Sequence, residues 1–390
     1  MPALPVVVLA PDKFKGSLSA AEVAAAMAHG ITQTASHRLT TVHCPIADGG
    51  EGTLDAAIAA GFGCVEVATV GPTGRPVSSA YARRQDTAVV EMADACGLGR
   101  LPAGTPQPLA SSSRGLGIVV ARALDDGCRH IIVGVGGSAS TDGGAGFLQG
   151  LGAALLDADG HEIDGSGATL GDIAALDLTG LHPGLRGAKL VIATDVDNPL
   201  CGAQGAAVVY GPQKGAGPCD VAVLDAGLLH WADVMARHLG VDHRQACGAG
   251  AAGGVGFAGL AALDMTVRPG IDVVLDLVGI DEHLHGAAAV ITGEGSLDAQ
   301  SLRGKAPVGV SVRARRWQVP SLVIAGTSRL SPRQRAQSPF AAIYALTDLE
   351  SDPQQSMARA AELIEVAAGE AAEYILAQHT SPVRENPAVG

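Results

Sequence analysis

Residues 131–146 read Ile-Ile-Val-Gly-Val-Gly-Gly-Ser-Ala-Ser-Thr-Asp-Gly-Gly-Ala-Gly, and no other stretch limits the fold as tightly. The apolar, β-branched start predicts a buried strand. Five glycines in residues 136–146 then make a turn in which backbone can approach backbone, or a ligand, without Cβ interference. A helix start follows through Phe147. Free N–H groups at such a turn and helix start bind anions, and Ser138, Ser140 and Thr141 add hydroxyls. A phosphate cradle at Gly136, Gly137, Ser138, Gly143 and Gly144 is one reading. A strand-to-helix turn that packs a helix on a sheet is the other. The run matches neither G-x-x-x-x-G-K-[ST] nor G-x-G-x-x-G, so it names no nucleotide by itself.

The strand–loop–helix rhythm recurs. Residues 6–10 form a buried-strand pattern followed by the loop 11–17, and Ser19 with Glu22 makes a capping box for the next helix. Residues 39–46 form another strand, ending in Ala-Asp-Gly-Gly-Glu-Gly-Thr at 47–53 before a helix over 54–60. Residues 63–96 read instead as short hairpin strands around a turn at 71–74. A helix over 115–124, capped from residues 111–113, leads into the 131–146 stretch. Strands are predicted at 155–157 and 189–194, and a helix near 222–238. From 288 the parallel signature returns: a strand over 288–292 with the loop 293–298, a helix over 308–315, strands at 321–326 and 341–346, and a closing helix over 356–376.

The implied fold class is α/β: a Rossmann-like parallel-sheet domain with a second, inserted mixed α/β domain. The expected boundaries are 1–62, 113–152 and 287–380 for the Rossmann-like domain, 63–112 and 153–286 for the second, and a flexible tail at 381–390. Ligands of open α/β sheets bind beyond the carboxyl ends of the strands. The loops 11–17, 47–53, 136–146 and 293–298 are therefore expected to converge on one cleft.

Composition narrows the partners. A net charge of −13 argues against a nucleic-acid surface. Seven cysteines, scattered singly with no C-x-x-C, argue against a disulfide framework or zinc cluster and fit a cytoplasmic setting. No leader pattern or membrane span is read. A monomer or a homodimer is expected.

Within the expected cleft, Asp12, Lys15 and Ser17 follow the first strand. Asp48 and Glu51 flank two glycines, where carboxylates can hold Mg2+ beside phosphate oxygens; charge matching at a helix start is the rival reading. Asp195 and Asn198 follow the 189–194 strand, where an Asx-turn competes with metal or hydroxyl binding. Lys214 sits in a glycine loop, either meeting phosphate as a point charge or simply solvated. Glu294, Asp298, Arg303 and Lys305 form a polar cluster after a buried strand. Arg114, behind three serines, can clamp a carboxylate. His283 and His285 lack a third ligand and read as packing or surface residues.

These segments together resemble the type I family of bacterial glycerate kinases. The matching runs are 10–12 with 14–17, 47–53, 136–139 with 142–146, Asp195 with 198–200, 211–216, 248–254 and 291–295. They keep one order over roughly residues 5–375. The resemblance implies ATP-dependent phosphorylation of D-glycerate to 2-phosphoglycerate, with Mg2+, in an interdomain cleft. Under it Lys15, Asp195 and Lys214 are the catalytic candidates, and Asp12, Ser17, Arg114, Asn198 and Arg303 bind substrate. Gly136, Gly137, Ser138, Gly143 and Gly144 bind phosphate, and Asp48, Glu51 and Glu294 hold metal. Lys13 and Thr141 stand at variable positions of the family. Two other readings remain open. A non-catalytic sugar-acid sensor would bind glycerate without ATP. A NAD-linked hydroxyacid oxidoreductase is disfavoured, because the first loop lacks G-x-G-x-x-G.

Overall fold

A computed structural model describes residues 4–380. The chain forms two compact units: one built from the chain up to Ala47 together with the chain from Leu275 onward, the other from Asp48–Val274. The class is α/β, with a parallel sheet in one unit and a mixed sheet in the other.

The strands, in chain order, begin with β1 (Val6–Pro11) and β2 (Thr40–His43) in the first unit. The inserted unit carries β3 (Gly63–Val70), β4 (Pro76–Arg84), β5 (Thr87–Glu91), β6 (His130–Gly134), β7 (Ala154–Leu156), β8 (Ala175–Asp177), β9 (Lys189–Ala193) and β10 (Thr266–Arg268). The first unit resumes with β11 (Ala289–Leu297), β12 (Ser321–Ser328) and β13 (Ala342–Ala345).

In the first unit the order is β13-β12-β11-β1-β2, all pairs parallel. Val7, Val8 and Leu9 in β1 and Val290 and Ile291 in β11 are fully buried, as continuous apolar strands covered on both faces must be. The helices Ala20–Ala35 and Ala360–Thr380 cover one face through Val23, Met27, Ile31, Ile364 and Ala368. Ser19 and Glu22 form the predicted capping box at the first of these. Gly30 is where the two helices approach, since a Cβ there would lie 2.0 Å from the Glu365 carbonyl oxygen. The predicted closing helix is two helices, Pro353–Ala358 and Ala360–Thr380, broken at Arg359. The 293–298 segment continues β11 to Leu297 rather than forming a loop, because Ser296 and Leu297 pair on with Thr327 and Ser328. The expected tail at 381–390 lies outside the described residues.

In the inserted unit the order is β10-β9-β6-β5-β4-β3. The hairpin β3–β4–β5 is antiparallel, as the turn spacing indicated, but β5 then runs parallel to β6. The helix Arg114–Asp125 makes the crossover between them, and β9 and β10 extend the parallel part. The 113–152 segment, expected in the Rossmann-like domain, therefore lies in the inserted unit. The 131–134 strand belongs with the hairpins, not beside β1. The turn from Asp48 and the 136–146 loop lie in the inserted unit, and the 11–17 loop and the 293–298 segment in the other. A buried β-branched run advertises burial on both faces but not which strand lies next to it. Here the pairing partner β5, antiparallel to β4 on its other edge, decides the sheet.

Candidate active site

In the inserted unit, β5, β6, β9 and β10 all point their carboxyl ends to one edge. Three turns meet there. A Cβ on Gly136 would lie 2.5 Å from the Gly50 Cα, and one on Gly270 would lie 2.0 Å from the Asp48 carbonyl oxygen. Glycine at these places lets the 48–52 turn lie directly on the turns after β6 and β10. Asp48 Oδ1 accepts from the Gly50 N–H at 3.2 Å, an Asx-type turn. Asp195, exposed after β9, accepts from the Gly270 N–H at 2.9 Å. Asp48, Gly136, Gly137, Ser138 and Asp195 are thus brought to one sheet edge. Gly136 is half-buried and Gly137 exposed, and among the described residues their N–H groups donate to no other group. Gly137 turns with φ +72° while its carbonyl accepts from Leu98 N–H.

The rest of the 136–146 run is interior. The Gly143 N–H donates to the Gly253 carbonyl at 2.9 Å, and the Gly143 carbonyl accepts from Trp231 Nε1 at 3.1 Å. The Gly144 N–H donates to Asp142 Oδ1 at 3.2 Å, and a Cβ on Gly144 would lie 2.5 Å from the Ala258 Cβ. Phosphate binding at Gly143 and Gly144 is therefore corrected: their donors are spent and both are buried. The run Gly248 to Gly254 explains them, since its left-handed residues Ala252, Gly253 and Gly254 pack on this turn.

Beneath the turn lies a buried charged network. Asp142 is fully buried and accepts at 2.7 Å from both the Ser113 N–H and the Ser113 hydroxyl. Burial pushes its carboxyl up, opposed by the Ser113 and Gly144 hydrogen bonds and by the Lys214 charge. Lys214 is 2% exposed and donates to Ser138 Oγ at 2.8 Å and to the Ser140 carbonyl. Burial brings its ammonium down to about 8, with the Asp142 charge working the other way. Lys214 is thus a brace under the 138–140 backbone rather than a solvated turn lysine.

Other expected ligands are already engaged. Asn198 donates to the Gln204 carbonyl at 2.9 Å and accepts from the Tyr210 hydroxyl at 2.7 Å, so its amide holds its own loop. Arg114 is half-exposed and pairs with Asp164 at 3.3 Å. Glu51 is exposed on the 48–52 turn.

In the other unit, Asp12 follows β1 and Glu294 lies within the neighbouring β11, the Asp12 N–H donating to the Gly293 carbonyl at 2.8 Å. Asp12 is buried and pairs with Lys13 at 3.6 Å. Glu294 Oε1 is buried without a hydrogen-bond partner. Burial pushes Glu294 up to about 7; Ser301 and Lys305 pull the other way, and the Asp12 and Asp298 charges push further. Glu294 therefore neighbours Asp12 in this unit, whereas Asp48 and Glu51 lie in the inserted unit. Lys15 is exposed on the 11–17 turn, whose backbone lies against Gly295. Ser17 donates to the Met357 carbonyl at 3.0 Å, a structural bond. The Arg303 side chain lies outside the described residues.

The raised Glu294 has a thermodynamic consequence. Its folded form holds a proton that the unfolded carboxyl releases near 4.5, so its contribution to stability is full below about 4.5 and is lost as pH rises through about 7. Glu294→Gln is expected to gain stability relative to the parent protein between pH 5 and pH 8. Melting curves at both pH values check this; a constant difference between the two proteins sinks it.

The decisive observation is the comparison with known proteins. The family model for the glycerate kinase family matches residues 7–376. The chain belongs to the glycerate kinase family. It is 44% identical to the glycerate 2-kinase of Escherichia coli K12 over 324 residues, 82% of this chain and 85% of that protein. It is 40% identical to the glycerate kinase of Bacillus subtilis 168 over 375 residues, 95% of this chain and 97% of that protein. A crystal structure of a Salmonella typhimurium LT2 protein assigned as a glycerate kinase 2 superposes with a TM-score of 0.83 at 38% identity. It covers 97% of this chain and 100% of that one. Family membership makes this an enzyme that phosphorylates glycerate, with small-molecule substrates. Among the described residues no helix is long and apolar enough to cross a membrane.

Glu91, Asp142, Gly253 and Gly270 shape this edge although the sequence assigns none of them a site role. Asp142 stood inside the most informative run, flanked by glycines. Glu91 carried a signal as well, an acid ending the apolar strand run from Ala88. Gly253 and Gly270 gave none, because close approach of two backbones leaves no mark on one of them alone.

Proposed function

We propose that this chain transfers the γ-phosphoryl group of ATP to the 2-hydroxyl of D-glycerate with Mg2+, giving 2-phosphoglycerate. The observation that carries the reading is the meeting of the 48–52 turn with the turns after β6 and β10 at one carboxyl edge, with Asp48, Asp195 and unengaged N–H groups. The regiochemistry is supported by the 44% identity to a protein named glycerate 2-kinase.

Phosphoryl transfer asks a protein for positioning and charge neutralisation more than for covalent chemistry. In this reading the Gly136 and Gly137 N–H groups and the Ser138 hydroxyl hold phosphate oxygens. Asp48 and Asp195 present hard carboxylate oxygens, the donor type that Mg2+ selects. Among the described residues Asp48 has one oxygen outside any hydrogen bond, which fits that use. Bound Mg2+ would supply charge neutralisation on the phosphates. Lys15 supplies a further cation for the transferred group. Asp12 and Glu294 orient the acceptor hydroxyl, and the hydroxyl proton leaves late because the transition state is loose.

Purified protein given D-glycerate, ATP and Mg2+ is expected to form 2-phosphoglycerate, identified by 31P NMR, with L-glycerate and metal-free controls inactive. A 3-phosphoglycerate product overturns the regiochemistry alone. Absence of glycerate-dependent ATP turnover in folded protein overturns the donor or the acceptor assignment. Lys15 belongs to one unit and Asp48 to the other, so loss of turnover in both Lys15→Ala and Asp48→Asn is what reaction in an interdomain cleft requires.

A further inference from the structure

We propose that Glu91 is a positioning residue for phosphoryl transfer, holding the 48–52 turn in its working place by replacing the missing cap of the helix behind it. The inference rests on the reading that this turn belongs to the active site. The helix Thr53–Ala59 begins without a side-chain cap: its N-cap is Gly52, in the left-handed region at φ +94°. First-turn N–H groups need an acceptor. Glu91 supplies it from 39 residues away. It is the last residue of β5, 6% exposed, and its Oε2 accepts from both the Gly52 N–H and the Leu54 N–H, each at 3.0 Å. Thr53 closes the same turn by donating its hydroxyl to the Gly50 carbonyl at 2.7 Å.

The consequence is geometric. The 48–52 turn rests at one end on Gly136 and Gly270, contacts of backbone on backbone that have no directional hold of their own. At its other end one buried carboxylate oxygen ties it to the end of β5, whose register partner is Gly134 at the end of β6. Asp48 and the Gly136 N–H are therefore set relative to each other through Glu91. A buried carboxylate is an expensive tether. Burial pushes Glu91 up to about 7, the Leu54 and Gly52 hydrogen bonds oppose this, and the charges of Asp55 and Asp94 add to it. An apolar side chain of similar size would spare that cost, so loss of the carboxylate is not expected to unfold the protein. It leaves two N–H groups unheld and the turn loose.

The test uses Glu91→Leu, Glu91→Asp and Glu91→Gln in the full chain. In Glu91→Leu, amide hydrogen exchange at Gly52 and Leu54 is expected to quicken by about tenfold or more. Its kcat should fall roughly 30-fold or more, while KM for glycerate stays within about threefold. Glu91→Asp, which keeps the charge and shortens the reach, is expected to give the same split. Glu91→Gln, which keeps an acceptor at full reach, should recover most of the loss. A merely structural role would lower the melting temperature and leave kcat of the folded fraction intact, and that result in Leu or Asp overturns the inference. So does unchanged exchange at the two amides. Asp48→Asn is measured alongside. Wild-type turnover there overturns the reading of the turn as part of the site, and the inference with it; wild-type turnover in the Glu91 variants alone overturns only the inference.

Discussion

Lys214→Met is expected to melt on the order of 10 °C below the parent protein and to lose turnover. Lys214 and Asp142 are both interior, and the lysine spends its ammonium on Ser138 and the Ser140 carbonyl. Methionine matches the aliphatic stem and removes only the charge and its donors. Removing the ammonium leaves buried Asp142 without the opposing charge and strips Ser138 Oγ and the Ser140 carbonyl of their donor, a loss of about 3–5 kcal/mol. For a unit of this size each kcal/mol moves the midpoint by roughly 2–4 °C. Turnover falls because the 138–140 backbone loses its brace while Ser138 loses a donor. The charge explanation has its own check: adding Asp142→Asn to Lys214→Met should restore at least half of the lost stability, since the uncompensated acid is then gone. A single variant melting within about 2 °C of the parent would falsify the argument.

The same lysine sets a pH signature. Its folded form releases its proton near 8, whereas the unfolded lysine keeps it to about 10.5. Between those values the unfolded state binds more protons, so this group's contribution to stability rises with pH across the window and is lost as pH falls through about 8. Lys214→Met should lack that rise. Equal pH slopes for the two proteins between pH 8 and 10 would show that the buried ammonium is not under desolvation strain.

What the sequence made legible follows from what local chemistry encodes. The buried strands, the capping box at Ser19 and the hairpin rhythm of 63–91 are local, and each is present in the fold. The polar loops were recognisable because glycine and acids cluster after apolar runs, and Asp48, Gly136, Gly137, Ser138 and Asp195 do meet at one sheet edge. Sheet membership was not legible. The 131–134 run looks like the other buried strands, and only its pairing with β5 and β9 sends it to the inserted unit. Nor could residue type separate a glycine that admits a ligand from one that admits another backbone. Gly143 and Gly144 share a motif with Gly136 and Gly137, but Trp231 and Gly253 occupy the polar groups of Gly143, and Asp142 takes the Gly144 N–H. Lys214 misleads in the same way. Its position in a glycine loop suggests a solvent-facing cation, whereas Pro212 and the left-handed Gly215 turn it inward.

Gly136→Ala separates close packing from backbone strain, and it is expected to cost about 100-fold or more in kcat. Gly136 is not in the left-handed region, so alanine fits its backbone conformation. The obstacle is steric: the new methyl would sit 2.5 Å from the Gly50 Cα, and a backbone atom cannot step aside as a flexible side chain can. The 48–52 turn must withdraw, yet Glu91 holds its far end at Gly52 and Leu54, and a Cβ on Gly49 would lie 2.7 Å from the Gly270 Cα. The displacement therefore passes to Asp48. A shift near 1 Å in a positioning group costs on the order of 100-fold in phosphoryl transfer, because catalysis here is mostly positioning. Overpacking of this kind also costs about 1–3 kcal/mol in stability. Gly61→Ala is the control. Gly61 has φ +89° with nothing within 4 Å of a new Cβ, so it carries the strain of a left-handed alanine, about 1 kcal/mol, and no steric push. Kinetics and melting of the two variants side by side distinguish the cases: Gly61→Ala should lose a little stability and keep its turnover. Gly136→Ala turning over within about threefold of the parent would mean that the contact between the two turns does not set the geometry of transfer.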